Sequence, residues 1–256
     1  MDRIRAKKSL GQHFLKDEKV AKRIVESLSF AGYKSVLEIG PGMGALTKFL
    51  LQLQDIELKL VELDKEAIAF LKVQYPHHKD QVIEGDFLQL KTEQIFNHPF
   101  AIIGNFPYNI SSQILFKVLE NKKQVPEVIG MFQKEVGNRI ASGPGNKEYG
   151  ILSVLMQAFY DVEILFYLDE KDFEPPPKVK SVVLRFRKKE NQKLDCDEAE
   201  FFKVVKSAFN QRRKMLRNAL SHIIAESANK IIPYLDKRAE ALSWQQFVEL
   251  TNSIKK

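Results

Sequence analysis

The chain has 256 residues, of which 44% are hydrophobic, enough to bury the core of one large domain with or without a smaller appendage. Forty Lys and Arg against 33 Asp and Glu leave a net charge of +7, which suits a polyanionic partner or a basic surface kept for solubility. The single cysteine, Cys196, excludes an internal disulfide. The longest apolar stretch, 151–160, is too short to cross a bilayer, and the charged N-terminus lacks a secretory signal. We therefore expect a cytoplasmic protein without a membrane partner.

The first half of the chain alternates between strand-like and helix-like segments. A basic arm, residues 1–15, precedes a helical pattern with Val20, Ile24 and Leu28 at four-residue spacing. The strand-like segments are short apolar runs at 35–39, 57–63, 82–85, 100–104 and 127–132. Helical patterns follow the first two of these runs. The alternation predicts a parallel sheet covered by helices on both faces.

The second half changes character after a proline run. Phe173 to Pro177 forces an extended chain, and a last alternating strand is predicted at 181–186. The charged stretch 187–191 is typical of a linker, and only helical periodicity follows it. We therefore predict two domains, residues 1–188 with the sheet and residues 192–256 as a small all-helical domain.

A glycine-rich loop follows the first strand of the sheet. Gly40, Gly42 and Gly44 leave the strand and open a helix, so a ligand can approach backbone that lacks Cβ atoms. The spacing is G-x-G-x-G and not the G-x-G-x-x-G of dinucleotide sites, which argues against NAD or FAD. It suits a nucleoside with an amino-acid tail, although a tight structural turn has the same composition.

Acidic residues end the next two strands. Glu62, twenty residues after Gly42, stands where an acid can hold both ribose hydroxyls of a nucleoside. Asp86 can accept a hydrogen bond from an exocyclic adenine amine, and Phe87 can lie against the adenine ring. A helix N-cap is the alternative role for Asp86.

The sequence Asn105-Phe106-Pro107-Tyr108 follows the fourth strand and predicts chemistry on an amine. The lone pair of an adenine N6 is delocalised into the ring, so its hydrogens must be held by acceptors that localise it. The Asn105 side-chain carbonyl and the Pro107 backbone carbonyl can supply these acceptors. Tyr108 offers a face on which an extruded base can stack. A simple turn is the competing interpretation.

These motifs, in this order, resemble the ribosomal RNA adenine dimethyltransferase family over nearly the whole chain. Lys8 to Leu15 is similar to its N-terminal cofactor-closing motif, and 173–181 to a signature before its second domain. The resemblance implies a class I methyltransferase, a Rossmann-like domain with a seven-stranded, mostly parallel sheet. It implies S-adenosylmethionine as methyl donor and S-adenosylhomocysteine as product. The implied cofactor contacts are Gln12, His13, Leu15, Gly40, Gly42, Glu62, Leu63, Asp86, Phe87 and Asn105. His13 stands where asparagine is also common in the family, and Phe106 replaces a more usual leucine or isoleucine.

The segment Phe209 to Leu220 is similar to the small-subunit branch of that family. This branch implies dimethylation of N6 on two adjacent adenosines near the 3′ end of 16S rRNA, in the 30S subunit or its precursor, during ribosome biogenesis. Two alternatives stay open: a 23S rRNA adenine dimethyltransferase of antibiotic resistance, and a non-catalytic RNA-binding assembly or transcription factor. The intact Asn-Phe-Pro-Tyr sequence argues against the second.

Basic residues at both ends of the chain predict contacts with RNA phosphates. The helical register of 212–223 puts Leu216, Ala219, Leu220 and Ile223 on an inner stripe and leaves Lys214 and Arg217 off it. The predicted RNA-binding residues are Arg5, Lys7, Lys8, Arg212, Arg213, Lys214 and Arg217. No histidine or carboxylate spacing indicates a metal site, and we expect a monomer.

Overall fold

A seven-stranded sheet organises the larger part of the molecule. The computed structural model describes residues 6–190, 193–224 and 231–255. The sheet has the strand order β4-β3-β2-β5-β6-β9-β7. Its strands are β2 (Ser35–Ile39), β3 (Glu57–Glu62), β4 (Val82–Glu84), β5 (Phe100–Asn105), β6 (Glu127–Gln133), β7 (Tyr160–Leu168) and β9 (Ser181–Lys188). The first five of these run parallel and β9 is antiparallel to β6, so the predicted fold class is confirmed.

A second, two-stranded sheet joins distant parts of the chain. It consists of β1 (Phe14–Leu15) and β8 (Phe173–Glu174), which pair antiparallel. Each strand has two residues, so neither gives a period-2 pattern in the sequence. The pairing nevertheless fixes the N-terminal segment against the proline run.

The helices follow the apolar periodicity of the sequence. Helix α3 begins directly after Asp64, whose side chain accepts from the backbone N–H of Glu66 and caps the helix. The helices are α1 (Glu18–Val25), α2 (Thr47–Leu50), α3 (Lys65–Gln74), α4 (Thr92–Ile95), α5 (Ser111–Glu120), α6 (Lys134–Ala141), α7 (Ile151–Phe159), α8 (Glu198–Asn210), α9 (Leu216–Ala219), α10 (Ser221–Ile224) and α11 (Trp244–Lys255). In the part of the chain that the structure describes, no helix is long and apolar enough to cross a membrane.

The chain divides into two compact units. One comprises Met1–Gly137 with Glu163–Lys188, and the other comprises Asn138–Val162 with Lys189–Lys256. The division at Lys188 falls where the sequence predicts the start of a linker. The helical unit also takes 138–162, because α7 packs on α8 and α11. Of the predicted inner stripe of 212–223, Leu216, Ala219 and Leu220 are fully buried and Ile223 is half-buried. The predicted helical register begins later than expected, because residues 212–215 form a turn and a bridge before α9.

Candidate functional site

A cavity of about 970 Å³ opens at the carboxyl ends of the parallel strands. In open α/β sheets this edge is where ligands bind, because the loops after neighbouring strands converge there. The twelve predicted cofactor-binding and catalytic residues all line it: Gln12, His13, Leu15, Gly40, Gly42, Glu62, Leu63, Asp86, Phe87, Asn105, Pro107 and Tyr108. The structure thus gathers residues from five separate segments, and their individual roles remain predictions.

The glycine loop after β2 adopts a backbone conformation that residues with a Cβ rarely take. Gly40 and Gly42 have φ values of +67° and +54°, in the left-handed region. A Cβ on Gly42 would lie 2.9 Å from Cε1 of Phe14, so the N-terminal segment packs directly on the loop. The missing Cβ at Gly42 thus makes room for the Phe14 ring, whereas a Cβ on Gly40 would lie 3.9 Å from Cδ of Pro107.

The carboxylate of Glu62 is held in one orientation at the end of β3. Its Oε2 accepts from the backbone N–H of Gly42 at 2.9 Å. Its Oε1 accepts from the N–H groups of Leu63 and Asp64 at 2.8 and 2.9 Å. Glu62 is 5% exposed, and three backbone donors compensate for the hydration that this carboxylate loses. A carboxylate offers about four acceptor sites, so capacity for a ligand hydroxyl remains.

The loop after β4 is held by a hydrogen bond within it and by a lysine of α5. Asp86 Oδ1 accepts from the N–H of Leu88 at 2.9 Å within a turn, and the next helix, α4, begins only at Thr92, so Asp86 is not a helix N-cap. Lys117 of α5 donates to the carbonyl groups of Leu88 (2.9 Å) and Leu90. Its ammonium lies 5.3 Å from the ring centroid of Phe87, which is 3% exposed. Burial lowers the pKa of Lys117, and this residue escaped sequence reasoning because nothing local marks it.

The side chain of Asn105 is oriented by the N-terminal segment. Its Nδ2 donates to the backbone carbonyl of His13 at 2.7 Å. The amide nitrogen is therefore engaged, and the Oδ1 atom is the acceptor that Asn105 offers to a ligand. Pro107 O accepts from the N–H of Ile110 at 3.1 Å, which uses one of its two lone pairs.

Tyr108 is fixed at both its ring and its hydroxyl. The ring stacks on His13 at a centroid distance of 5.6 Å, and the hydroxyl lies 2.5 Å from Ser181 Oγ. Burial raises the pKa of Tyr108. His13 Nδ1 also lies 2.8 Å from the carbonyl oxygen of Pro175. Pro175 lines the cavity, and sequence reasoning missed it because its contact to His13 spans 162 residues.

Glu38 is a buried carboxyl that sequence reasoning also missed. It ends no strand but lies within β2, is 1% exposed and lines the cavity. The Thr47 hydroxyl donates to its Oε2 at 2.7 Å. Burial raises the pKa of Glu38 to about 8 against the opposing hydrogen bond from Thr47, and the nearby charge of Glu62 adds to the rise. A charged residue inside an otherwise apolar strand was the available signal.

The predicted RNA-binding residues fall into different environments. Lys7 Nζ is paired with Asp64 (2.6 Å) and Glu66 (3.0 Å). Arg212 Nε donates to Glu240 at 2.8 Å, and its guanidinium also donates to the carbonyl of Lys147. The exposed members are Arg213, Lys214 and Arg217. Arg5 and the side chain of Lys8 lie outside the described residues.

The raised pKa of Glu38 makes stability depend on pH. Between the ordinary value of 4.5 and about 8, the unfolded chain has released a proton that the folded protein keeps. The free energy of unfolding therefore falls as the pH rises through this window. In Glu38→Gln the amide oxygen still accepts from Thr47 but cannot titrate. We expect the free energy of unfolding of the variant, relative to that of the wild type, to rise by up to about 1.4 kcal/mol per pH unit from about pH 5 to about pH 8.

Urea unfolding of both ligand-free proteins across that range measures the difference. Glu84→Gln, which neutralises an exposed carboxylate of β4, is the control. Its difference from the wild type in free energy of unfolding should change much less with pH. A Glu38→Gln difference that does not change with pH would contradict the shift.

The chain matches the family model described as ribosomal RNA adenine dimethylase over residues 3–256. Among curated relatives, the ribosomal RNA small subunit methyltransferase A of Cytophaga hutchinsonii is 55% identical, over 99% of both chains. That of Flavobacterium johnsoniae is 53% identical, over 99% of this chain and 97% of the relative.

Solved structures share the fold. A dimethyladenosine transferase from Plasmodium falciparum has a TM-score of 0.77 at 25% identity and covers 93% of this chain and 96% of its own. The 23S rRNA methyltransferase ErmE has a TM-score of 0.70 at 22% identity, over 95% and 100% of the two chains, a likeness of fold alone. The family match and the relatives, which extend over almost the full length, agree with the resemblance in the motifs, and the chain belongs to the ribosomal RNA adenine dimethylase family.

Proposed function

We propose that this chain transfers methyl groups from S-adenosylmethionine to N6 of two adjacent adenosines near the 3′ end of 16S rRNA, two to each. The single observation that carries the proposal is the orientation of Asn105, whose amide nitrogen is held by His13 so that its oxygen serves as an acceptor. Curated relatives at 50% identity and above are named small-subunit enzymes, which supports the small subunit over the 23S rRNA alternative.

The cavity fits the proposed methyl donor. Its volume of about 970 Å³ accommodates a nucleoside with an amino-acid tail. Gly40 and Gly42 line the cavity with left-handed backbone, and Glu62 has capacity for about one ribose hydroxyl beyond its three backbone hydrogen bonds. Asp86 and Phe87 line the same cavity and are the proposed contacts of the adenine amine and ring. When bound, S-adenosylmethionine supplies an electrophilic methyl group on a sulfonium.

The residues after β5 act on the target adenine. Asn105 Oδ1 and the free lone pair of Pro107 O accept the two N6 hydrogens, which localises the nitrogen lone pair for in-line attack. Tyr108, held by His13 and Ser181, presents its ring to the extruded base. No strong general base is required, because the amine releases a proton readily once it is methylated.

The proposed setting is the cytoplasm, with a monomeric enzyme acting on the 30S subunit or its precursor during ribosome biogenesis. Arg213, Lys214 and Arg217 are the predicted phosphate contacts that are exposed, which suits them to that role. Arg212 is better placed to hold the 143–150 loop through Lys147 and Glu240 within the helical unit.

Methyl transfer from labelled S-adenosylmethionine to unmethylated small subunits tests the reaction directly. We expect N6,N6-dimethyladenosine after digestion of the RNA to nucleosides. Label found only on large-subunit RNA would replace the proposal with the 23S rRNA alternative. Subunit binding without any transfer of label would favour the non-catalytic factor.

We expect Asn105→Ala to lower kcat by roughly 100-fold, about 3 kcal/mol, because it removes a preorganised acceptor. Binding of small subunits should survive, which a filter-binding assay measures. Asn105→Asp is the matched variant, since it retains an acceptor oxygen but cannot donate to His13. An Asp variant as inactive as the Ala variant would indicate that the bond to His13, and not the acceptor, is what catalysis needs.

The exposed and paired arginines should differ in their effect on RNA binding. Arg213→Ala combined with Lys214→Ala should weaken subunit binding and reduce the slope of log K against log salt by up to about two, one for each phosphate contact. Arg212→Ala should instead lower the melting temperature and leave the slope unchanged, because Arg212 is paired with Glu240. An equal loss of slope in Arg212→Ala would show that this arginine also contacts RNA.

A further inference from the structure

The N-terminal segment is attached to the end of β3 by side-chain charge. Lys7 Nζ lies 2.6 Å from Asp64 Oδ1, and Gln12 Nε2 donates to Asp64 Oδ2 at 3.0 Å. Gln12 Oε1 in turn accepts from the backbone N–H of Lys7 at 2.9 Å. Both carboxylate oxygens of Asp64 are thus bound by residues from the two ends of one short segment.

Asp64 is a poor place for an unpaired charge. Its side chain is fully buried, and its backbone N–H donates to Glu62 Oε1, the carboxylate of the cavity wall. A buried carboxylate is destabilising unless it is paired and hydrogen-bonded. The Lys7 ammonium supplies the compensating positive charge, and Asp64 is in turn one hydrogen bond from Glu62, the proposed ribose contact.

The two ends of the segment are held by different kinds of interaction. Phe14 and Leu15 are fixed by the β1–β8 backbone pairing, and His13 O accepts from Asn105. Residues 7–12 are held through Asp64 and Glu66 by an ion pair that salt and competing charges weaken. Gly11, with φ +63°, lies within residues 7–12, between the two residues whose side chains bind Asp64. The Lys7 end is therefore the end whose attachment depends on charge.

We infer that Lys7 is a positioning residue for the methyl donor: its ion pair with Asp64 acts as a latch that holds residues 7–12 against the cavity wall beside Glu62, the proposed ribose contact. The inference rests on the proposed function and gives Lys7 a role other than the RNA-phosphate contact expected from sequence. Lys7 would have to leave two carboxylates, one of them buried, in order to bind a phosphate.

Calorimetric titration of the full chain with S-adenosylhomocysteine, without RNA, tests the latch. Lys7→Met should weaken binding on the order of tenfold, as expected for a lost charge-assisted hydrogen bond, and Lys7→Arg should restore most of it. Asp64→Asn keeps a side chain that can cap α3 and should show a similar loss. The double variant should lose little more than either single one, because both remove the same interaction.

Two further readouts separate a latch from general damage to the fold. Added salt should weaken S-adenosylhomocysteine binding by the wild type more than by Lys7→Met. The salt slope of subunit binding should be the same in Lys7→Met as in Lys19→Met, the control, which removes an exposed charge from α1.

Three outcomes would overturn the inference. These are wild-type affinity in Lys7→Met, additive losses in the double variant, and a loss confined to the salt slope of RNA binding. A wild-type chain that binds no S-adenosylhomocysteine would instead overturn the proposed function.

Discussion

The hydrogen bond from the Asn105 amide to the His13 carbonyl determines how the cavity is built. An asparagine side chain has a donor end and an acceptor end that differ little in shape, so only its partners decide which end faces a ligand. His13 takes the donor end at 2.7 Å and, through its ring, also contacts Tyr108 and Pro175. One residue of the N-terminal segment therefore sets the acceptor, supports the stacking ring and joins the proline run. The proposed chemistry depends on a residue that performs none of it.

The two buried glutamates of the cavity lie in different environments. Glu62 accepts from three backbone N–H groups, which replace the water that a charged carboxylate loses. Glu38 receives the Thr47 hydroxyl, and burial raises its pKa to about 8, so it keeps its proton near neutral pH. A neutral Glu38 limits repulsion with Glu62.

The sequence predicts the sheet well because its central strands are buried on both faces. The apolar runs at 35–39 and 127–132 become β2 and β6, since a strand covered on both faces is mostly apolar. Strand β7 was not predicted, because it is an edge strand whose polar and half-exposed residues break the apolar pattern. The β1–β8 pairing also leaves no local trace, since it joins residues about 160 positions apart.

The site residues on loops that directly follow the parallel strands could be predicted from the sequence. The residues that contact these loops from other parts of the chain could not. The glycines, Glu62 and Asn105 follow strands, and parallel strands deliver their carboxyl ends to one edge. Lys117 and Pro175 reach that edge from elsewhere in the chain, and only the folded structure brings them there.

The sequence also cannot show which of its charged residues are paired with one another in the folded chain. A net +7 counts cations without saying which are available, and pairing decides that. Lys7 neutralises a buried aspartate and Arg212 is held by Glu240, while Arg213 and Lys214 are exposed. A phosphate could bind the Lys7 ammonium as Asp64 does. If Lys7 moved to a phosphate, however, the buried Asp64 carboxylate would keep the neutral Gln12 amide and lose its charged partner. The cost of that exchange favours the proposed role of Lys7 in the cavity wall, and the exposed cations remain the proposed contacts with RNA.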